Sequence, residues 1–250
     1  VYAGGGVSPN STASNSTQEY NGSSWTAGGN LNTARDQTSG AGTESAGLCC
    51  GGTPNGSAQE NTSEEYNGST WTEGNNLATA VRSVHNSSLG IQTAALLVGG
   101  NSGSATSGVQ SYDGTTWTAG TALPAARFTL ATSGTQTAGI VFGGNDGSNI
   151  KNTSFNFDGS SWTATPNLST ARDNLGGSPS GSNTVAIASG GRQPGPANSS
   201  LTEEFTVSIS ATTAATWASG GNMNTSRQEN CGMSGTIPAA LCFGGYNPAS

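Results

Sequence analysis

Charged side chains are scarce in this sequence, and their scarcity limits what the protein can bind. Only 8% of the 250 residues are charged, against roughly 25% in an average globular domain. Seven Lys and Arg residues leave a net charge of −7, whereas nucleic-acid binding depends on clustered cations that neutralise phosphates. We therefore expect no nucleic acid among the partners of this chain.

Histidine, helix signals and long apolar runs are also lacking. His85 is the single histidine, which removes most zinc sites and most His-based catalytic schemes. No apolar run approaches the ~20 residues of a membrane helix, and no stretch keeps the 3.6-residue period of an amphipathic helix. We therefore predict an all-β protein without a membrane span, and we expect no enzymatic activity, no cofactor and no metal site.

What the sequence has in abundance is glycine, with 39 residues, and an internal repeat. EYNGSSWT at 19–26 returns as EYNGSTWT at 65–72, SYDGTTWT at 111–118 and NFDGSSWT at 156–163, and a weaker copy ends at Trp217. The Trp residues are therefore 46, 46, 45 and 55 residues apart. Two further markers repeat with them, a Gly-Gly pair that ends an apolar run and an Arg that follows a turn. The repeated Arg residues are Arg35, Arg82, Arg127, Arg172 and Arg227.

Each unit of about 46 residues contains four strand-like segments. In the unit that starts at Leu96, LLVGG is a buried strand, and VQSY (109–112) and TTWT (115–118) form a hairpin around Asp113-Gly114. We predict a two-residue type I′ turn at this dipeptide, in which both residues have positive φ. RFTLATSG (127–134) is the fourth strand. The Trp is predicted to pack between neighbouring sheets, and the alternative is an exposed stacking platform for sugars.

Four-stranded units of this length are typical of a β-propeller. The apolar strand ending in Gly-Gly, the Tyr, the Trp that follows it and the Arg that opens the innermost strand resemble the kelch repeat, over essentially the whole chain. The Asn-, Ser- and Thr-rich form of the units is similar to kelch-like arrays in proteins of marine bacteriophages. We predict one kelch-like β-propeller domain over 1–250 with five four-stranded blades. Its units are 1–46, 47–94, 95–138, 139–184 and 185–238, and a final strand at 239–245 closes the ring.

The closure of this ring has alternatives. There are six Gly-Gly strands, and five blades need five, so either VYAGG (2–6) or LCFGG (241–245) is in excess. The excess strand could help to close the ring or pair with a neighbouring molecule. Six blades, or an open array within a longer chain, are the other possibilities.

The four cysteines allow several interpretations. Cys49 and Cys50 are adjacent, so in a strand they point to opposite faces and cannot share a site. Cys231 and Cys242 flank the Gly235-Thr236 turn and could lie opposite each other, which would permit a cross-strand disulfide. The alternative is that the cysteines are small buried apolar residues.

The repeated Arg residues have two interpretations. Each guanidinium could bind carboxylates or carbonyls of a neighbouring hairpin, with Glu19, Glu65 and Glu204 as acceptors. The other interpretation is an anion-binding ring at the mouth of the channel, where kelch propellers often bind partners. That ring would consist of Arg35, Arg82, Arg127, Arg172 and Arg227.

The loops that join the second and third strands vary most between units, namely 7–17, 53–63, 101–108, 145–154 and 192–200. All of them leave the same face, and recognition usually lies on such loops. Asn145-Asp146-Gly147 has oxygen ligands but lacks the spacing of a calcium loop. The candidate binding residues are Asn10, Asn15, Asn55, Asn61, Asn101, Asn145, Asp146, Asn149, Arg192 and Asn198.

These observations lead to three functional hypotheses. The first is a non-enzymatic propeller of a virion surface or the extracellular space, such as a phage appendage, tail-fibre or capsid-decoration protein, that binds host-surface glycans. The second is a purely structural module that assembles in a capsid or filament, with other virion proteins or as a homo-oligomer. The third, an intracellular kelch adaptor, would have more charged loops than this chain has.

Overall fold

A computed structural model describes residues 2–4, 13–54, 56–178, 181–195, 198–207, 216–219, 223, 228–236 and 239–246. These residues form strands and loops without a helix, and the all-β fold class is confirmed. Among them, accordingly, no helix has the length and apolarity required to cross a bilayer.

Three sheets each contain four antiparallel strands in chain order. Sheet 2 consists of β4 (Ser39–Thr43), β5 (Ala46–Cys50), β6 (Ser63–Tyr66) and β7 (Trp71–Glu73). Sheet 3 consists of β8 (Ser88–Ile91), β9 (Ala94–Val98), β10 (Val109–Tyr112) and β11 (Trp117–Ala119). Sheet 4 consists of β12 (Ala131–Thr135), β13 (Ala138–Phe142), β14 (Ser154–Phe157) and β15 (Trp162–Thr165).

The remaining strands form smaller sheets within the described residues. Sheet 1 consists of β1 (Tyr2–Gly4), β2 (Thr17–Tyr20) and β3 (Trp25–Ala27). Sheet 5 consists of β16 (Val185–Ser189), β17 (Thr202–Thr206) and β18 (Thr216–Ser219). A hairpin follows, formed by β19 (Gln228–Thr236) and β20 (Ala239–Tyr246).

The sheets are offset from the sequence units. β4, for example, ends at Thr43 and so lies within the unit 1–46, but it pairs with β5 of the next unit. Each four-stranded sheet therefore takes its first strand from the end of one unit and its other three strands from the following unit. The Arg residues do not open these first strands. Arg127 lies four residues before β12, in the segment that connects two sheets.

Sheets 2, 3 and 4 lie side by side along their first strands, because β4 contacts β8 and β8 contacts β12. β12 in turn contacts β16 of sheet 5, the strand that ends in a Gly-Gly pair. Backbone hydrogen bonds join the segments that connect successive sheets. Thr129 N donates to the Ser83 carbonyl at 3.0 Å, and Asn174 N donates to the Thr129 carbonyl at 2.9 Å. These three residues have φ of 50–55°, an uncommon conformation for residues with a side chain. The number of blades and the closure of a ring stay predictions.

The hydrophobic core lies in the seams between sheets. Leu48 and Cys50 of sheet 2 are buried with Leu97 and Trp117 of sheet 3. The next two seams have clusters of the same kind, one between sheets 3 and 4 and one between sheets 4 and 5. Cys49 belongs to a different cluster from Cys50, which confirms that the two thiols point to opposite faces.

The repeated Trp residues pair with an aromatic residue of the adjacent strand. Tyr112 stands opposite Trp117, with ring centroids 4.8 Å apart. Trp117 Nε1 donates to Ser63 Oγ of sheet 2 at 3.3 Å, so the predicted packing between sheets is confirmed for this Trp. Trp25 of sheet 1 differs, because 39% of its surface is exposed.

The hairpin loop at Asp113-Gly114 differs from the predicted two-residue turn, because Tyr112 pairs with Trp117 and four residues lie between them. The equivalent loop of sheet 1 has the same length. Tyr20 pairs with Trp25, so Asn21-Gly22-Ser23-Ser24 forms a four-residue loop. Only Gly22 has positive φ, and Asn21 Oδ1 accepts hydrogen bonds from the backbone amides of Ser23 and Ser24 at 2.9 and 3.0 Å. The type I′ prediction is wrong because the asparagine side chain caps the loop and fixes a longer one.

The register of the last hairpin corrects a second prediction. Cys231 stands opposite Gly244, and Cys242 stands opposite Met233. The two cysteines are thus not directly opposite each other in the ladder but two positions apart. The prediction failed because the hairpin turns one residue later than the midpoint between Cys231 and Cys242. Each cysteine therefore pairs with a residue two positions away from the other cysteine.

Three Gly-Gly pairs, at 51–52, 99–100 and 143–144, hold the segment that leads to the next sheet, because their second glycines donate to the Val81, Arg127 and Arg172 carbonyls. Gly143 and Gly144 have φ of 68° and 91°, which glycine adopts without steric cost. Gly144 N donates to the Arg172 carbonyl at 2.8 Å. A Cβ on Gly143 would lie 2.5 Å from that same carbonyl oxygen. The Gly-Gly pair is therefore required by the close approach of two backbones.

We predict that Gly143→Ala lowers the free energy of unfolding by about 3 kcal/mol or more, since positive φ and a backbone clash add together. Gly103→Ala is the matched control. Gly103 also has positive φ, 111°, but a Cβ added there would meet nothing within 4 Å, so the expected cost is about 1 kcal/mol. Urea unfolding measures both, and equal costs would contradict the proposed role of close approach.

His85 is buried, and its Nδ1 has no hydrogen-bond partner among the described residues. Burial lowers the pKa of His85 to about 4 from 6.5. Between these values the unfolded chain binds a proton that the folded chain excludes, so His85 makes stability fall as pH falls from 6.5 towards 4.

We therefore predict that His85→Gln removes part of the acid sensitivity. Between pH 7.5 and pH 4.5, the wild-type free energy of unfolding should drop by about 2.5 kcal/mol more than that of the variant. Urea titrations at the two pH values measure this difference. The same pH dependence in both proteins would show that His85 is accessible to protons in the fold.

Candidate functional site

Connecting segments fill the space between successive sheets, and the repeated Arg residues lie in them. Arg172 donates through Nη1 to the Gly190 and Leu201 carbonyls of sheet 5, both at 2.9 Å. Its own carbonyl accepts from Gly144 N of sheet 4. Arg127 joins sheets 3 and 4 in the same manner, through the Gly143 carbonyl at 2.9 Å and Gly100 N at 2.9 Å.

Two of these guanidinium groups form buried ion pairs. Arg35 pairs with Glu64 of β6, and Arg172 Nη2 lies 2.8 Å from Glu203 Oε1 of β17. Arg127 has Phe155 at the corresponding position, with its guanidinium carbon 4.9 Å from the ring centroid. These contacts favour the first interpretation of the Arg residues, in which they hold neighbouring strands together.

The acceptors are not those expected from the sequence. Glu19 and Glu65 accept hydrogen bonds from the hydroxyls of Tyr66 and Tyr112. The carboxylates that bind Arg are those of Glu64 and Glu203, each one position before an expected acceptor. Strand alternation explains the difference, because Glu64 and Glu65 point to opposite faces of β6. Burial and the Glu65 carboxylate raise the pKa of Tyr112 well above its usual value.

Arg82 is not equivalent to the other Arg residues. Val81 holds the matching position, because its carbonyl accepts from Gly52 N at 2.9 Å. In place of an ion pair, Gln110 binds the backbone of Thr79 through both its amide oxygen and its amide nitrogen, at 2.9 and 3.0 Å. Arg82 Nη1 instead donates to the Gly56 carbonyl at 2.9 Å. The fifth member of the predicted ring, Arg227, lies outside the described residues.

We predict that Arg172→Ala lowers the free energy of unfolding by about 3–5 kcal/mol, because it leaves the Glu203 carboxylate buried without its cation. Arg82→Ala, the matched control on a half-buried Arg, should cost less than about 1 kcal/mol. Denaturant titration compares the two variants. Equal costs would contradict the different roles that we assign to these residues.

Each of four loops between a second and a third strand pairs with a connecting segment through its first residue. Antiparallel bridges join Asp36 to Thr53, Arg82 to Asn101, Phe128 to Asn145, and Asp173 to Arg192. One residue of each pair opens such a loop. That all of these loops lie on one face stays a prediction.

A cleft of about 370 Å³ opens between the loops of sheets 4 and 5. It brings together three predicted residues, Asn145, Asn149 and Arg192. Sequence reasoning missed the other lining residues, which are Ser148, Ile150, Pro194 and Gly195. The cleft therefore combines amide, hydroxyl and guanidinium groups with two apolar side chains.

Asp173 fixes the geometry of this cleft from below. Its buried carboxylate accepts from Arg192 Nε at 3.1 Å and from Arg192 Nη2 at 2.7 Å. It also accepts from Asn145 Nδ2 at 3.2 Å. Two cleft residues from different sheets are thus oriented by one carboxylate. Sequence reasoning missed Asp173, although the Arg-Asp dipeptide also occurs at 35–36.

Asp146, the neighbour of Asn145, holds the loop of sheet 4 together. Its Oδ2 lies 2.5 Å from Lys151 Nζ, and its Oδ1 accepts from the backbone amides of Ser148 and Asn149 at 2.9 and 2.7 Å. The Lys151 ammonium and these amides hold the pKa of Asp146 well below its usual range. Both carboxylate oxygens are thus engaged within the loop. In the described part of the chain, no three His, Cys, Asp or Glu residues group as metal ligands would.

The other predicted binding residues lie elsewhere. Asn15 Nδ2 donates to the Leu31 carbonyl at 3.2 Å, and its own carbonyl accepts from Leu31 N. The Asn61 carbonyl accepts from Leu77 N at 2.7 Å, so both residues hold connecting segments. Asn101 caps its own loop through Gly103 N, and Asn198 bridges to Arg192. Asn10 and Asn55 lie outside the described residues.

Comparison with known protein families finds no match to this chain, and no curated protein matches it.

Proposed function

We propose that this chain is a non-enzymatic, five-bladed kelch-type β-propeller that binds host-surface glycans through loops on one face. The observation that carries the binding proposal is the cleft between the loops of sheets 4 and 5, where Asn145, Asn149 and Arg192 converge. Amide and guanidinium groups supply the donors and acceptors that sugar hydroxyls require. Ile150 and Pro194 add apolar surface for the faces of a sugar ring.

The five-bladed architecture is supported by four features. The Trp of the repeat occurs five times, three four-stranded antiparallel sheets follow one another, their first strands lie side by side, and the core lies in the seams between sheets. Radial arrangement of four-stranded sheets is the design of propellers. The setting on a virion surface or in the extracellular space, as part of an appendage, tail fibre or capsid decoration, is carried by the resemblance of the Asn-, Ser- and Thr-rich units to phage arrays.

The alternative function is a structural module that assembles in a capsid or filament without a ligand. The observation that favours it is the exposed side of sheet 1, where Trp25 is 39% exposed. A large exposed aromatic group at the end of a row of sheets could contact another molecule.

The test of glycan binding is a glycan array probed with the purified chain, followed by a titration of the best ligand. We predict that Asn149→Ala weakens this binding about tenfold, equivalent to about 1.4 kcal/mol, because Asn149 lines the cleft, while its hydrogen bonds within the loop are made by its backbone N–H and carbonyl, which the change leaves in place. The melting temperature should stay unchanged. Ser104→Ala, an exposed change in the loop of sheet 3, is the matched control and should bind as the wild type does.

The outcomes separate the two functions. Saturable binding that Asn149→Ala weakens and Ser104→Ala does not would place the ligand in the cleft. Saturable binding that neither change affects would move the site to another surface. A folded chain that binds no glycan and sediments as an oligomer would support the structural module instead.

A further inference from the structure

Two tyrosine hydroxyls join neighbouring sheets in the same way. Tyr66 of β6 donates to the carboxylate of Glu19 in β2, and Tyr112 of β10 donates to that of Glu65 in β6. In both cases the acceptor belongs to the preceding sheet, and both tyrosines are buried. Each acceptor directly precedes the tyrosine of its own sheet, since Glu19 precedes Tyr20 and Glu65 precedes Tyr66.

These two positions change together along the chain. Ser111 holds the acceptor position of sheet 3, and the aromatic residue of sheet 4 is Phe157. Asn156 holds the acceptor position of sheet 4, and the aromatic residue of sheet 5 is Phe205. A hydroxyl is therefore present where the preceding sheet offers a carboxylate and missing where it does not. This pattern agrees with the cost of burying a hydroxyl without a good acceptor.

Sheets 1 and 5 carry one half of such a pair each. Glu204 of β17 holds the acceptor position of sheet 5, and Tyr20 of β2 holds the donor position of sheet 1. The Tyr20 hydroxyl donates instead to the Gly22 carbonyl of its own hairpin loop, at 2.9 Å. The Trp opposite Tyr20, Trp25, is 39% exposed, whereas Trp71 and Trp117 are 5% and 7% exposed.

We propose that the side of sheet 1 that contains Tyr20 and Trp25 docks against sheet 5 of the same chain, with the Tyr20 hydroxyl donating to the Glu204 carboxylate. This inference rests on the proposed five-bladed propeller and names the seam that closes it. With this contact, each Glu at an acceptor position (Glu19, Glu65 and Glu204) faces a Tyr. The two acceptor positions without Glu, Ser111 and Asn156, face a Phe. A sixth blade between sheets 5 and 1 would separate Tyr20 from Glu204.

A double-mutant cycle tests this contact. Tyr20→Phe, Glu204→Gln and the double variant are compared by urea unfolding, and Tyr66→Phe with Glu19→Gln forms the matched cycle across a seam that the structure contains. Each single change should raise the unfolding equilibrium constant about tenfold, as expected for a hydrogen bond to a charged group. The double change should raise it by about the same factor rather than a hundredfold.

Small and additive effects in the first cycle, beside clear coupling in the matched cycle, would overturn the proposal. Native mass spectrometry at several protein concentrations identifies the partner sheet. Coupling that disappears on dilution together with a dimer would assign the contact to a second copy and would also overturn it. Neither cycle involves a ligand, so a failure of closure and a failure of glycan binding are read separately.

Chemical cross-linking decides the case in which neither cycle shows coupling. Cysteines at positions 20 and 204 (Tyr20→Cys and Glu204→Cys), in a background with Cys231→Ser and Cys242→Ser, are treated with a short bismaleimide. Tyr66→Cys with Glu19→Cys is the positive control, and Tyr20→Cys with Ser111→Cys is the negative control. An intrachain cross-link at the yield of the positive control is expected. A yield no higher than that of the negative control would overturn the proposal.

Discussion

The structure depends on a backbone contact between a Gly-Gly pair and the segment that leads to the next sheet. The Arg172 carbonyl binds the Gly144 amide of sheet 4, while its guanidinium binds the Gly190 carbonyl of sheet 5. Arg172 therefore joins two sheets. Glycine is needed in the Gly-Gly pair because the Arg172 carbonyl occupies the space that a Cβ would take. Once this contact exists, the apolar side chains of both sheets are brought together and the seam becomes the core.

The chain also shows that this fastening has more than one chemical solution. Two seams use a buried Arg–Glu ion pair, one places the guanidinium over Phe155, and one replaces the cation with Val81 and the amide of Gln110. Buried ion pairs often contribute little net stability compared with apolar replacements. In the three seams for which the structure describes this contact, the constant element is the carbonyl of Val81, Arg127 or Arg172 that the Gly-Gly pair binds, while the side chain of that residue varies.

Much of the fold could be predicted from the sequence, and the errors have physical reasons. The period of the Trp residues, the Gly-Gly pairs and the alternation of β6 report on strands directly, so the sheets and the seams of the core were predictable. The partners of the Arg residues were not, because a shift of one position moves Glu65 to the other face of its strand. The hairpin loop was misassigned because Asn-Gly and Asp-Gly suit both a two-residue and a four-residue loop. The four-residue loop forms because the backbone amides of the following Ser and Thr residues bind the Asn or Asp side chain.

The candidate site was predictable only in part. The variable loops identified Asn145, Asn149 and Arg192, but nothing in the sequence indicated that sheets 4 and 5 would bring these three together. Asp173 orients Asn145 and Arg192 and lies in a connecting segment. A search for the loops that vary most between units does not identify residues of such segments. The residues proposed to bind the ligand lie in the variable loops, whereas the residue that positions them lies in a connecting segment. Only the variable loops stand out when the repeats are compared.

The offset between sheets and sequence units affects how such a chain can change in length. Each four-stranded sheet joins the last strand of one unit to three strands of the next. Unequal recombination between equivalent points of two units adds or removes about 46 residues, and with a breakpoint outside the variable loops every remaining first strand still finds a sheet. A gene of this kind can therefore gain or lose whole sheets through errors at its own repeats, while the variable loops are exchanged as intact cassettes.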